Sequence, residues 1–167
     1  GKVGSSLVEE DQLELALKIL KAGEEAGTQI CIPTDAIIAD EFSNDARIDE
    51  VASNEIPDGW MGLDIGRNSI EEFSNVIRNS KTVLWNGPMG VFEVPQFAEG
   101  TVKIAQAVAG NKGFSIAGGG ETIAAIDKFG VTETISYIST GGGAFLEYVQ
   151  GEKLPGVQIL EERGVAN

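Results

Sequence analysis

Residues 114–129 read FSIAGGGETIAAIDKF, and this stretch decides the fold. The run Phe114–Ala117 is short and largely apolar, which predicts a strand. From Glu121 to Phe129 the apolar residues recur at helical spacing, which predicts a helix. A glycine triplet joins the two elements, and a strand followed directly by a helix is the unit from which parallel α/β sheets are built.

The same order of strand, turn and helix recurs on both sides of this stretch. The other predicted strands are Met61–Ile65, Thr82–Trp85 and Ile135–Ser139, and the helices after them cover Ile70–Ile77, Ala98–Ala109 and Ala144–Val149. Parallel strands need such crossover connections, and consecutive strands of this kind usually lie next to each other. We therefore expect an α/β fold with a three-layer, mostly parallel, Rossmann-like sheet and helices on both faces.

The first part of the chain is less regular. Asp11 is a candidate helix N-cap, because apolar residues recur at helical spacing over Leu13–Leu20 until two glycines supply stop signals. Short strands are predicted at Thr28–Ile32 and Ala36–Ala39. Residues 40–58 are polar, acidic and weakly patterned, so they are a long excursion for which the sequence predicts neither helix nor strand.

The composition limits the class of protein. Residues 1–167 fit one domain of ordinary size, and 42% hydrophobic with 23% charged residues is typical of a folded globular protein. No apolar run approaches the roughly 18 residues of a membrane span, and the first residues lack the pattern of a signal peptide, so we expect a soluble cytoplasmic protein. Cys31 lies in an apolar run and is predicted to be buried rather than a nucleophile.

The charge excludes several kinds of partner. The net charge is −14, from 26 acidic and 12 basic residues, which disfavours binding to nucleic acid or to an anionic membrane. The chain has no histidine, so the commonest general base and metal ligand is absent. A bound phosphate would have to be held by backbone N–H groups, by helix N-termini or by a bridging cation.

Loops with the composition of such a phosphate site follow three of the predicted strands. They are Asn86–Glu93, Gly118–Thr122 and Ser139–Ala144. In an open parallel sheet, ligands bind where loops leave the carboxyl ends of the strands. A glycine triplet there lets a ligand approach the N–H groups of the following helix, although a tight, closely packed turn has the same pattern. No lysine follows at the spacing of a Walker motif.

Four side chains in these loops, those of Glu121, Glu93, Pro88 and Val91, have two interpretations each. Glu121 either interacts with the helix dipole or binds a Mg²⁺ that bridges nucleotide phosphates, with Thr122 adding a hydroxyl. Glu93 is either a solvated surface residue or an acceptor for ribose hydroxyls. Pro88 and Val91 either pack the loop or offer a rigid apolar surface to a purine.

Larger segments of the chain resemble a known family. They are VGSSLVEED (Val3–Asp11), IPDGWMGLDIG (Ile56–Gly66), LWNGPMGVFE (Leu84–Glu93), SIAGGGETIAAI (Ser115–Ile126) and YISTGGGAFLEYVQGEKLPGV (Tyr137–Val157). In this order they resemble bacterial phosphoglycerate kinase over nearly the whole chain. The resemblance implies a C-terminal, nucleotide-binding domain of a two-domain glycolytic enzyme. It also implies reversible phosphoryl transfer between 1,3-bisphosphoglycerate and ADP, with Mg²⁺ and ADP or ATP bound here.

The resemblance also implies roles for individual residues. At the adenosine it places Leu63, Asn86, Pro88, Val91 and Glu93, with Leu63 beside the adenine and Glu93 on the ribose hydroxyls. At the phosphates and the metal it places Gly118, Gly119, Gly120, Glu121 and Thr122, with Glu121 as the metal ligand. The catalytic N–H donors to the transferring phosphoryl group would be Gly141, Gly142 and Gly143. The family usually has aspartate where Glu121 stands, so the carboxylate here lies on a longer side chain.

Parts of the family's pattern have no counterpart in these 167 residues. The resemblance implies that they are the first strands and phosphate-binding lysines of the C-terminal domain, and the N-terminal domain that binds 3-phosphoglycerate or 1,3-bisphosphoglycerate. We therefore expect an incomplete domain that is inactive alone, from a parent enzyme that is a monomer. Two alternatives stay open: a module that binds nucleotide without catalysis, and a structural remnant whose exposed sheet edge pairs with a second copy.

Overall fold

The chain folds into two compact units in the part that the computed structural model describes, residues 1–164. Unit 1 consists of Gly1–Asn75 and Met89–Ile104. Unit 2 consists of Val76–Pro88 and Ala105–Asn167, of which 165–167 lie outside the described part. That residues 1–167 act as a single, incomplete domain stays a prediction.

From residue 61 onward the strands and helices follow the predicted order. The described helices are α1 (Leu13–Ala26), α2 (Arg67–Asn79), α3 (Glu99–Ala109), α4 (Gly120–Lys128), α5 (Gly143–Val149) and α6 (Pro155–Gly164). The strands are β1 (Lys2–Val3), β2 (Asp35–Ala39), β3 (Ile48–Ala52), β4 (Glu55–Ile56), β5 (Met61–Ile65), β6 (Thr82–Asn86), β7 (Phe114–Gly118) and β8 (Tyr137–Ile138). None of the helices within residues 1–164 combines the length and the apolar character needed to cross a bilayer.

The main sheet of unit 1 is antiparallel, which differs from the parallel arrangement expected for β5. β2 lies in its centre and pairs with β3 on one side and β5 on the other, and β1 and β4 form a separate parallel pair. β3 and β4 lie within residues 40–58, for which the sequence predicts neither helix nor strand. Asp40 closes the β2–β3 turn by accepting hydrogen bonds from the backbone N–H and the Nε of Arg47 (2.9 and 2.6 Å). β3 is mostly exposed, so its sequence lacks the apolar pattern of a buried strand.

Three expectations for the first part of the chain are wrong. α1 begins after Gln12 without a side-chain cap, and Asp11 lies in the preceding 3₁₀ turn. Thr28–Ile32 forms no strand, because a strand needs a neighbour for its backbone N–H and C=O groups. Its first N–H instead bonds to the carbonyl of Gly23 in the turn that ends α1 (2.8 Å). Cys31 is half-buried rather than buried.

The sheet of unit 2 is parallel, as predicted. Its order is β6-β7-β8, and β6 pairs with β7 from Thr82 opposite Phe114 to Asn86 opposite Gly118. The buried apolar side chains of this unit include Trp85, Ala117, Ala125, Ile126 and Ile135. The alternation of apolar residues that predicts these elements therefore also predicts the core between them.

A buried carboxylate joins β2 to the start of α2 in unit 1. Asp35 accepts hydrogen bonds from the backbone N–H groups of Asn68 (2.7 Å) and Ser69 (2.9 Å), and from the Ser69 hydroxyl. Such N–H groups in the first turn have no partner within the helix. Burial by itself raises the pKa of Asp35, but the hydrogen bonds from Ser69 and Asn68 hold it below its usual value of 3.8.

Replacing Asp35 with alanine should lower the free energy of unfolding by about 2 kcal/mol at neutral pH, because it removes a helix cap and leaves buried donors unsatisfied. Since the folded-state pKa is lowered, this stabilisation is present above pH 3.8 and is lost as the pH falls through the folded-state value. Urea unfolding should show that the difference in the free energy of unfolding between the natural sequence and Asp35→Ala becomes smaller in acid. The exposed Asp58→Ala is the control, and an equal loss in both variants contradicts the prediction.

Candidate functional site

Three loops leave the same edge of the unit 2 sheet. Because β6, β7 and β8 are parallel, their carboxyl ends point the same way. Asn86 at the end of β6 lies opposite Gly118 at the end of β7, and Ile138 at the end of β8 lies opposite Ala117. The pairing extends into the last loop, where the N–H of Ser139 donates to the carbonyl of Ala117 (2.8 Å). The two glycine triplets therefore lie on one rim of the sheet.

The first glycine turn connects β7 to α4. Gly119 has a φ of 92°, a conformation that other residues rarely adopt, and a Cβ there would lie 2.7 Å from Oδ1 of Asn86. A Cβ on Gly120 would meet nothing within 4 Å. Backbone conformation and close packing thus require glycine at 119, whereas open space lies beside Gly120 at the helix start.

Thr122 has a position that the sequence does not indicate. Its side chain is fully buried, and its Oγ1 accepts a hydrogen bond from the N–H of Gly87 (2.7 Å). The hydroxyl therefore ties α4 to the loop after β6. Glu121, in the same first turn, is exposed.

The second glycine turn connects β8 to α5. The buried Ser139 accepts a hydrogen bond from the N–H of Gly141 through its Oγ (3.3 Å). Gly142 has a φ of 55°, and Gly143 begins α5 with open space where a Cβ would stand. Like the first turn, this one combines a glycine that the backbone requires with one that leaves room at a helix start.

Phe145 of α5 lies close to a glycine of each turn. Phe145 of α5 lies so close to Gly118 that a Cβ on Gly118 would overlap the ring at Cδ1 and Cε1. A Cβ on Gly141 would also contact Phe145, since it would lie 3.7 Å from the Cβ of Phe145. The absence of a side chain at 118 therefore allows α5 to pack against the end of β7.

The residues expected at the adenosine are divided between the units. Leu63, Val91 and Glu93 belong to unit 1, and Asn86 and Pro88 belong to unit 2. Within unit 1, Leu63 and Val91 are brought together: the N–H of Val91 donates to the carbonyl of Leu63 (2.9 Å), and both side chains pack on the core around Phe97. Glu93 is exposed.

The candidate metal ligand is one carboxylate rather than a cluster. Among residues 1–164 no three Asp, Glu, Cys or His side chains are close enough to hold an ion. Glu121, exposed beside the open helix start at Gly120, fits Mg²⁺ of the kind that takes one or two protein carboxylates together with substrate phosphates and water. It does not fit an ion held by protein ligands alone.

Sequence reasoning missed Asp64, a buried carboxylate on β5. It accepts hydrogen bonds from the N–H groups of Ile65 (2.9 Å) and Gly100 (2.7 Å). Burial, with a smaller effect from the charge of Glu99, raises its pKa to about 6, although the hydrogen bonds from Gly100 and Ile65 act to lower it. The available signal was an acidic residue in an otherwise apolar predicted strand.

Comparison with known proteins places this geometry in a family. A family model described as phosphoglycerate kinase matches residues 1–152. The chain belongs to the phosphoglycerate kinase family. The matched residues include all three of the loops that leave the unit 2 sheet.

Relatives in this family cover almost all of the chain. The chloroplastic phosphoglycerate kinase of Chlamydomonas reinhardtii is 51% identical over 165 residues, which are 97% of this chain and 36% of the relative. The cytosolic phosphoglycerate kinase of Nicotiana tabacum is 51% identical over 163 residues, which are 96% of this chain and 41% of the relative. The chain thus spans about two fifths of the length of these curated phosphoglycerate kinases.

A solved phosphoglycerate kinase has the same fold. The structure from Coxiella burnetii matches with a TM-score of 0.93 and 38% identity, over 99% of this chain and 42% of that chain. This confirms the predicted α/β, Rossmann-like fold class. The bacterial origin that the motifs suggest stays a prediction.

Replacing Gly118 with alanine should displace the Phe145 ring and destabilise the protein by about 1–3 kcal/mol, as overpacking does elsewhere. Hydrogen exchange at the α5 amides should accelerate in the same variant. Gly120→Ala is the matched control, because its Cβ meets no atom within 4 Å and it should change stability by less than about 0.5 kcal/mol. Equal effects of the two substitutions in urea unfolding would show that Phe145 does not depend on Gly118.

Proposed function

We propose that unit 2 binds the phosphates of ADP or ATP together with Mg²⁺, as the nucleotide-binding part of a phosphoglycerate kinase. The observation that supports this proposal is the common edge of the two glycine turns. Each turn is followed by a helix whose first N–H groups are available to an anion, and Gly120 and Gly143 leave open space beside those groups. A chain with a net charge of −14 needs such neutral donors to hold phosphate.

In this proposal Glu121 is the protein's ligand to the metal, whose charge offsets that of the phosphates. Gly118, Gly119 and Gly120 form the turn that admits the nucleotide phosphates. Thr122 acts from inside the unit, since its hydroxyl holds the N–H of Gly87 and so fixes the loop after β6. The carboxylate would thus stand on a helix start whose position is set by buried contacts.

Adenosine recognition is the second part of the proposal. Leu63 and Val91 of unit 1 offer an apolar surface for the base, whereas the role of Pro88 at the adenosine rests on the sequence resemblance. Glu93 accepts hydrogen bonds from the ribose hydroxyls, and Asn86 lines the nucleotide. The packing of Leu63 and Val91 on the Phe97 core supports a rigid surface of this kind.

The reaction we propose for the protein that contains these residues is reversible phosphoryl transfer between 1,3-bisphosphoglycerate and ADP, a step of glycolysis. Such transfers depend mainly on positioning and on neutralising charge. The N–H groups of Gly141, Gly142 and Gly143 would donate to the transferring phosphoryl group as the catalytic groups of this chain, and the N–H of Gly141 would have to leave Oγ of Ser139 to do so. The acidic balance and the absence of histidine support binding of the glycerate substrate outside these 167 residues.

The alternatives from the sequence are testable against this proposal. Exposed leucines on α1, Leu13, Leu15 and Leu17, favour self-association of the isolated polypeptide as a structural remnant. A nucleotide-binding module without catalysis would bind Mg-ADP as tightly as a complete site does. A cytoplasmic location stays a prediction, since the relatives include a chloroplastic and a cytosolic protein.

Calorimetry with ADP should show binding that is stronger with Mg²⁺ than without it. Glu121→Gln should remove most of this Mg²⁺ effect, because the amide lacks the charge that the ion requires, and should leave metal-free binding unchanged within about twofold. Glu133→Gln, an exposed acid of unit 2 in the turn Thr132–Thr134, is the control. A Mg²⁺ effect of equal size in all three proteins would remove Glu121 from the site.

The polypeptide of 167 residues should show no turnover of 1,3-bisphosphoglycerate and ADP in a coupled assay. The reason is that Gly141, Gly142 and Gly143 stabilise the transferring group, whereas positioning of the second substrate is also needed. Turnover by the purified polypeptide would show that these residues hold a complete active site. Micromolar binding of Mg-ADP without turnover would support the module alternative.

A further inference from the structure

Asp64 lies in unit 1 at the point where β5, the segment Met89–Val91 and the first turn of α3 meet, which we call the Asp64 joint. The proposed chemistry does not use this residue. Its side chain is buried on β5, between the segment Met89–Val91 and the first turn of α3. A Cβ on either Gly90 or Gly100 would overlap its carboxylate. The two glycines therefore let both segments close around one charged group, and Gly100 donates its N–H to that group at 2.7 Å.

The segment Met89–Val91 is held through the same joint. The N–H groups of Met89 and Gly90 donate to Oγ1 of Thr101 (3.1 and 3.3 Å), which is fully buried in the first turn of α3. The N–H of Val91 donates to the carbonyl of Leu63 on β5 (2.9 Å). The segment is thus fixed to α3 on one side and to β5 on the other, and its geometry depends on the distance between these two elements.

We propose that Asp64 is a positioning residue for the segment Met89–Val91: its carboxyl group holds the first turn of α3 against β5, and so sets the backbone of that segment. The inference rests on the proposed function in one respect, the assignment of Val91 to the adenosine. The control of the backbone by Asp64 is independent of that assignment.

The charge state of Asp64 gives this role a measurable signature. Burial raises the pKa of the carboxyl to about 6, and Glu99 of α3 acts in the same direction. β2, which pairs with β5, carries its carboxylate at Asp35, whose partners are Ser69 and Asn68. The folded arrangement around Asp64 binds a proton more tightly than an exposed aspartate with a pKa of 3.8 does. The contact between β5 and the first turn of α3 is therefore most stable in acid, and it loses stability as the pH rises through about 6.

Hydrogen exchange tests the role without any nucleotide. Corrected for intrinsic rates, protection at residues 89–91 and 100–101 should fall by up to about a hundredfold between pH 4 and pH 8 in the natural sequence. Asp64→Asn should make this protection independent of pH, because the amide does not titrate. Asp58→Asn, an exposed aspartate of unit 1, should keep the natural profile. A profile in Asp64→Asn that matches the natural one would overturn the proposal.

A second variant keeps the test decisive if Asp64→Asn does not fold. Thr101→Val removes the acceptor of Met89 and Gly90 with little change of volume, so protection at 89–90 should drop at every pH while that at Gly100 keeps its pH dependence. Loss of the pH dependence at Gly100 in this variant would contradict the role of Asp64.

Mg-ADP binding to the same proteins separates this inference from the proposed function. The ratio of the Kd of the natural sequence to that of Asp64→Asn, taken at the same pH, should rise between pH 5 and pH 8, because this ratio cancels the titration of the terminal phosphate of ADP. If no variant binds Mg-ADP while the hydrogen-exchange profiles are as expected, the nucleotide function is overturned. That result would still support control of the backbone by Asp64. Binding whose pH dependence is unchanged in Asp64→Asn overturns the positioning role.

Discussion

The parallel pairing of β6, β7 and β8 is the constraint on which the candidate site depends. Hydrogen bonds between these strands set Asn86, Gly118 and Ile138 at neighbouring carboxyl ends. Every loop that we assign to phosphate binding starts from one of these ends. A change in strand direction would send a glycine turn to the opposite rim, however well its own conformation was preserved.

Carboxylates in three environments show how this acidic chain places charge. Asp35 is buried but surrounded by donors, which lowers its pKa. Asp64 is buried with fewer donors and near Glu99, which raises its pKa. Glu121 is exposed at a helix start, where a cation can reach it. Asp35 thus caps a helix, Asp64 holds α3 against β5, and Glu121 is a candidate metal ligand. The same functional group has these different roles because its burial and hydrogen bonding differ.

Much of the site was predictable because its signals are local. Gly119 and Gly142 adopt the positive φ angles for which glycine is suited, and each stands between a strand and a helix, as the spacing of apolar residues indicates. The role of Thr122 was not predictable, since its hydroxyl meets Gly87, 35 positions away. The strand at Thr28–Ile32 was predicted from composition alone, and it does not form because strand pairing depends on residues elsewhere.

The α/β class, the family and the glycine turns follow from the amino-acid pattern, since periodicity and glycine act over a few neighbouring residues. The folded chain adds the antiparallel pairing of β5 with β2, the packing of Phe145 on Gly118 and the contact of Asp64 with α3. These features depend on contacts between residues that are far apart in the chain. No local pattern specifies the burial that such contacts produce, and burial is what sets the charge state of Asp64.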